Sequence, residues 1–132
     1  MDEKGARIAC LAGEEVVVPI GIKEIYVGVP KNRLSLTIVE SISADGIAMP
    51  PLVIVPSITI MESWFYENMT GHEVVTVSPS GYTNEGVCMI WLAHFIKHNN
   101  CGLDKAWHIL LIDGATCYEA PNFIITAKVN RI

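Results

Sequence analysis

The sequence predicts an α/β domain with an antiparallel three-stranded start followed by a helix, a buried strand and a second helix. Three observations carry that expectation. β-branched runs fill the first half and are broken by an Asp45-Gly46 pair; one stretch has apolar residues at helical spacing; and a short uninterrupted apolar run ends in Asp113-Gly114.

The strand-like segments of the first third are Arg7 to Leu11, Glu15 to Pro19, Ile25 to Val29 and Leu34 to Ala44. Asp-Gly between apolar runs favours a tight turn, because both residue types accept positive φ, so Leu34 to Ala44 should pair antiparallel with Pro51 to Val55. The connection from Pro56 to Gly81 is rich in Pro, Ser and aromatics; at this length it should be partly irregular or carry short elements. Its Trp64, Phe65 and Tyr66 are read as anchors to the core.

Thr83 can cap a helix, and Val87, Ile90, Trp91, His94, Phe95 and His98 fall on one face at a period of 3.6, which predicts a helix over Asn84 to His98. Asn99-Asn100-Cys101-Gly102 ends it. Trp107 to Ile112 is an apolar run of the kind covered on both faces in a sheet. A last helix is predicted from Glu119 or Pro121 to about Lys128, since Pro is tolerated in a first turn.

The chain of 132 residues fits one domain, with no repeat, linker or low-complexity tract. A hydrophobic content of 51% supplies a core and argues against disorder. The least charged stretch, Ile47 to Met61, is 15 residues long and contains Pro50, Pro51 and Pro56, too short and too broken for a membrane span. The charged Met-Asp-Glu-Lys start shows no secretory signal, so an intracellular, non-secreted protein without a membrane partner is expected. A net charge of −5 disfavours non-specific coating of nucleic acid. Cys10, Cys88, Cys101 and Cys117 form no C-x-x-C pair and are read as buried, reduced thiols.

Asp113 follows Ile109-Leu110-Leu111-Ile112, and the carboxyl end of a buried strand is where open α/β sheets place metal and substrate groups. An Asx-type turn before Gly114 explains the same residue equally well. The predicted element order has the outline of a ribonuclease-H-like domain. Several runs then match a family: Ser41-Ile42-Ser43-Ala44-Asp45-Gly46, Pro50-Pro51-Leu52-Val53-Ile54, Gly81-Tyr82-Thr83-Asn84, Trp91-Leu92-Ala93-His94-Phe95 and Leu110-Leu111-Ile112-Asp113-Gly114. Together they resemble the DDE superfamily endonuclease domain of pogo- and Tigger-type transposases, the group related to centromere protein B. Met1-Asp2-Glu3-Lys4-Gly5 resembles that family's first acidic motif.

The resemblance implies a ribonuclease-H-like core in which acidic residues hold Mg²⁺ or Mn²⁺ for DNA cleavage and strand transfer, with Asp2 and Asp113 as catalytic and metal-binding residues. It further implies DNA as partner and nuclear residence. Three departures point to a truncated and inactive form. The family's third acid lies beyond Asn130-Arg131-Ile132; Asp113-Gly114-Ala115-Thr116-Cys117-Tyr118 lacks the two histidines of the family's Asp-Gly-His-x-Ser-His; and Asp2 stands at the very start of its strand. A domain incomplete at both ends should expose a sheet edge and self-associate. The alternative function is a non-catalytic nucleic-acid-binding or protein-interaction module that keeps the scaffold.

Other chemistry-bearing residues have plainer readings. Cys88, His94, His98 and Cys101 match no common zinc spacing, and Cys88 lies roughly 240° around the helix from His94. Trp91 and Trp107 are expected in the core, leaving Trp64 as the one tryptophan suited to base stacking. His72 beside Glu73 has the form of an acid-base pair, with no nucleophile nearby. Glu14, Glu15 and Asp45 are read as solvated or turn residues, and Glu40 as the one extra carboxylate on a strand next to that of Asp2.

Overall fold

The computed structural model describes residues 1–7, 35–65 and 69–132. One sheet is built from β1 (Asp2–Arg7), β2 (Ser35–Glu40), β3 (Leu52–Pro56) and β4 (Val74–Ser78) in the order β1-β2-β3-β4. Two helices follow, α1 (Glu85–His98) and α2 (Pro121–Val129). The architecture is therefore mixed α/β, as expected. The strands predicted at Glu15 to Pro19 and Ile25 to Val29, most of the one at Arg7 to Leu11, and Tyr66 lie outside the described residues.

The predicted hairpin forms: β2 and β3 pair antiparallel with Thr37 opposite Ile54 and Val39 opposite Leu52. Its tip is set by Gly46 at φ 86°, with Gly46 N–H donating to the Ser43 carbonyl at 3.0 Å and Ser43 N–H to the Ile47 carbonyl at 2.9 Å. The Ser43 hydroxyl donates to the Asp45 carboxylate and holds its pKa below the ordinary value. Continuous pairing with β3 stops at Val39, earlier than expected, and only a bridge between Ile42 and Ala48 carries it on. Pro50 and Pro51, lacking N–H donors, account for the gap.

Between β3 and the helix the structure departs from expectation in one further respect. The connection contains a 3-10 turn at Glu62–Phe65 and also a full strand, β4, parallel to β3 from Leu52 opposite Val74 to Pro56 opposite Ser78. Val74-Val75-Thr76-Val77 is β-branched throughout, which suits a pleated, half-buried surface.

α1 begins one residue later than predicted and is capped by Asn84, whose Oδ1 accepts from Val87 N–H at 3.0 Å; Thr83, the expected cap, instead has a buried hydroxyl without a partner among the described residues. Its buried face is Val87, Cys88, Trp91, Leu92 and Phe95, rotated from the predicted one so that Ile90 and His98 are exposed. These side chains pack in one core with Val39, Leu52 and Ile54 of the sheet and with Tyr118, Phe123 and Ala127.

The predicted buried strand at Trp107 to Ile112 is absent. Residues 107–112 are assigned no strand, and exposure alternates along them, with Trp107 65%, Ile109 90% and Leu111 78% exposed while His108, Leu110 and Ile112 are partly buried. Among the described residues, one hydrogen bond joins this segment to the start of β1, from the Met1 amino group to the Leu111 carbonyl, and no ladder continues it. Trp107 is accordingly a surface residue, which corrects its expected place in the core, whereas Trp91 is the buried anchor foreseen.

Candidate functional site

The sequence-predicted acids can be placed directly. Asp2 opens β1, and its Oδ1 accepts the backbone N–H of Glu3 at 2.9 Å. Asp2 is exposed and lies opposite Glu40 in the β1–β2 register, so the neighbouring carboxylate anticipated for that strand is present. Asp113 is exposed in an irregular segment beside Gly114. The two chain segments meet nearby, because the Met1 amino group donates to the Leu111 carbonyl at 3.0 Å.

A third acid does not join them. Among the described residues no three His, Cys, Asp or Glu side chains are grouped so that they could hold a metal ion. With Asp2 Oδ1 engaged by the Glu3 backbone N–H and no third donor grouped with the acids, the described residues do not fit a two-cation centre.

The residues weighed against a zinc spacing are also dispersed, in keeping with the reading against zinc. Cys88 is buried on the core face, and Cys101 Sγ lies 3.6 Å from His108 Nδ1. Burial pushes the Cys101 thiol above its ordinary pKa, the reverse of what an activated thiolate nucleophile requires. His94 and His98 belong to a cleft elsewhere on α1, whose other members include His72 and Glu73. Trp64 is half-buried beside an apolar cavity with Leu36, Val53, Val55 and Val75, whereas Phe65 is exposed, which corrects its expected role as an anchor to the core.

Sequence reasoning missed a cluster behind β1. The Tyr118 hydroxyl donates to Glu3 Oε1 at 2.5 Å, and Tyr118 stacks edge-on with Phe123 at a centroid distance of 5.5 Å. Glu3 and Tyr118 are separated by 115 residues, and no local spacing marks the pair. Burial, reinforced by Glu3, raises the phenol of Tyr118 from its ordinary value of 10.0, and burial, reinforced by Cys117, raises the thiol of Cys88 from 9.0.

The consequence for stability has a definite sign. Both groups keep in the folded state a proton that the unfolded chain gives up, so their contribution is complete below the unfolded values and is lost as pH rises past 9.0 and then 10.0. The melting temperature followed by circular dichroism is expected to fall above that threshold, and Tyr118→Phe to remove the upper part of the fall. An unchanged alkaline profile in the variant would show that Tyr118 does not drive it.

The remaining feature is the edge at residues 107–112. His108 N–H donates to the Arg131 carbonyl at 2.8 Å and Leu111 accepts from Met1. Among the described residues, the N–H groups of Ile109, Leu110, Leu111 and Ile112 donate to no backbone carbonyl. Trp107, Ile109 and Leu111 project from this extended segment as an exposed apolar row.

No family model matches the chain, and no solved structure matches it. It is similar to a curated protein described as MFS-type transporter clz9 of Cochliobolus lunatus, with 29% identity over 103 residues that make up 78% of this chain and 11% of that protein. The chain thus spans about a ninth of the length of the curated relative it matches. No helix among the described residues is long and apolar enough to cross a membrane.

These findings correct the sequence-based assignment to pogo-type DDE transposases: the match is to a protein described as a transporter, and no family model restores the transposase reading. DNA as partner, magnesium-dependent chemistry and nuclear residence rested on that resemblance and lose their support with it. The physical reason lies in what the matching runs do. Asp45-Gly46 forms a hairpin tip, Asn84 caps a helix, and Trp91, Leu92 and Phe95 fill a core. Each serves a local need common to many α/β domains, and none requires a nuclease.

Proposed function

We propose that the chain is a non-catalytic protein-interaction module, built on a ribonuclease-H-like scaffold, that joins a second copy of itself along residues 107–112. The observation that carries this reading is the run of backbone N–H groups that meet no backbone carbonyl among the described residues, beside the exposed row Trp107, Ile109 and Leu111. Such an edge is a template for strand addition, in which main-chain hydrogen bonds give affinity and alternate side chains give specificity. A second copy supplies a segment of the same chemistry, and two identical edges close antiparallel about a two-fold axis.

The scaffold reading is supported by the antiparallel run β1-β2-β3, with α1, an extended segment touching Met1, and α2 following after the parallel strand β4. The module reading is supported by the match to 11% of a far longer protein.

Light scattering on the purified chain is the test. A dimer is expected, with Ile109→Lys returning it to a monomer at an unchanged melting temperature, since Ile109 makes little contact within its own fold. A monodisperse wild-type monomer would overturn the proposal, as would a dimer indifferent to Ile109→Lys.

A further inference from the structure

The chain has four histidines, and three of them, His72, His94 and His98, line one cleft of about 620 Å³ together with Lys97 and Glu73. The grouping is made by the fold. His72 stands in the turn before β4, whereas His94 and His98 are one turn apart on α1 with ring centroids 6.4 Å apart. Lys97 and His98 also suit the negative end of the α1 dipole. That role accounts for neither His72 nor His94.

The single carboxylate of the cleft is occupied with its own turn. Glu73 accepts the Thr70 N–H at 3.0 Å, the Gly71 N–H at 3.1 Å and the Thr70 hydroxyl at 2.9 Å. None of its hydrogen bonds reaches an imidazole. His94 is fixed in orientation by the 2.8 Å contact between its Nε2 and the Pro50 carbonyl, where Nε2 must be the donor; a second proton therefore goes to Nδ1.

We infer that this cleft is a binding site for a small phosphate-bearing anion, held by Lys97 and by His72, His94 and His98 in their protonated forms. Histidine is the side chain whose charge changes near neutrality. With neutral imidazoles, Lys97 and Glu73 balance each other; with protonated ones, the cleft gains three positive charges facing a single carboxylate already satisfied by its turn. A phosphate group offers several acceptor oxygens to such donors, and charge-assisted bonds of that kind are the strong ones. The surrounding net charge of −5 favours a small ligand over a long polyanion such as nucleic acid.

Inorganic pyrophosphate titrated into the whole chain, read by calorimetry and by the histidine ring proton resonances, tests this site. Affinity is expected to fall about tenfold from roughly pH 6 to roughly pH 8, with the resonances of His72, His94 and His98 moving and that of His108 staying put. His72→Gln and His98→Gln change exposed residues, so folding is retained while affinity at the lower pH drops several-fold. Lys97→Gln should weaken binding at both pH values. Absence of binding, equal affinity at the two pH values, or shifts centred on His108 would each overturn the inference. So would capture of a single-stranded oligonucleotide in preference to pyrophosphate. The Ile109→Lys variant should bind pyrophosphate like the wild type, which separates this site from the proposed dimer edge.

Discussion

Trp91→Ala is expected to cost about 3–5 kcal/mol of folding stability, enough to lower the melting temperature by roughly 10–20 °C in a domain of this size. Trp91 is among the largest fully buried side chains, stacks on Phe95 at 5.4 Å, and joins α1 to the sheet residues Val39, Leu52 and Ile54 in one cluster. Truncation leaves a cavity that the backbones on either side, already paired in helix and sheet, cannot collapse to fill. Trp91→Phe separates volume from polarity. The indole Nε1 is buried without a partner among the described residues, and such a donor costs about 1–3 kcal/mol, so losing it offsets much of the lost volume. Phenylalanine is therefore expected to cost about 1 kcal/mol or less. Urea unfolding of the three proteins provides the comparison; a phenylalanine variant as unstable as the alanine one would mean the indole N–H is satisfied in solution.

What could be read from the residues was whatever is settled within a few positions along the chain. The Asp45-Gly46 turn, the β2–β3 pairing and the bounds of α1 and α2 follow from turn chemistry, capping and periodicity. β4 was legible in principle, since Val74-Val75-Thr76-Val77 is as β-branched as β3, but it lay inside a stretch whose prolines and serines pointed to a loop. The segment at 107–112 failed for the opposite reason. Its residues suit a buried strand, yet strandhood depends on a backbone ladder with a partner, and among the described residues only isolated contacts, Met1 to Leu111 and His108 to Arg131, reach it.

The candidate sites divide in the same way. Glu40 opposite Asp2 was anticipated because strand adjacency follows from the order of elements. The Glu3–Tyr118 bond and the meeting of His72 with His94 and His98 join residues far apart in sequence and left no periodic trace. The family assignment was overturned because the matching runs are those that the fold itself needs. A glycine, a cap and a core face are shared by chains that do different things.

One glycine is required by both conformation and space, and its replacement is the second large effect. Gly81 sits at φ +75° between β4 and α1; a Cβ there would lie 2.9 Å from the Ser35 carbonyl oxygen and 3.0 Å from Pro56 Cβ. The first of these is backbone of β2 and cannot swing aside. Gly81 is also stitched to the sheet, its carbonyl accepting from the buried Thr37 hydroxyl at 2.8 Å and its N–H donating to the Ser78 carbonyl at 3.1 Å. Gly81→Ala combines backbone strain with overpacking, each worth about 1–3 kcal/mol, for an expected loss of about 2–5 kcal/mol. Gly46→Ala serves as the control, since Gly46 has φ +86° but a methyl there would meet nothing within 4 Å, so it isolates the strain at about 1 kcal/mol. Chemical denaturation of both variants should therefore show Gly81→Ala the less stable by at least the overpacking part. Equal losses would mean that the β4–α1 connection stands further from β2 than the 2.9 Å approach implies, and that the positive φ alone demands glycine at position 81.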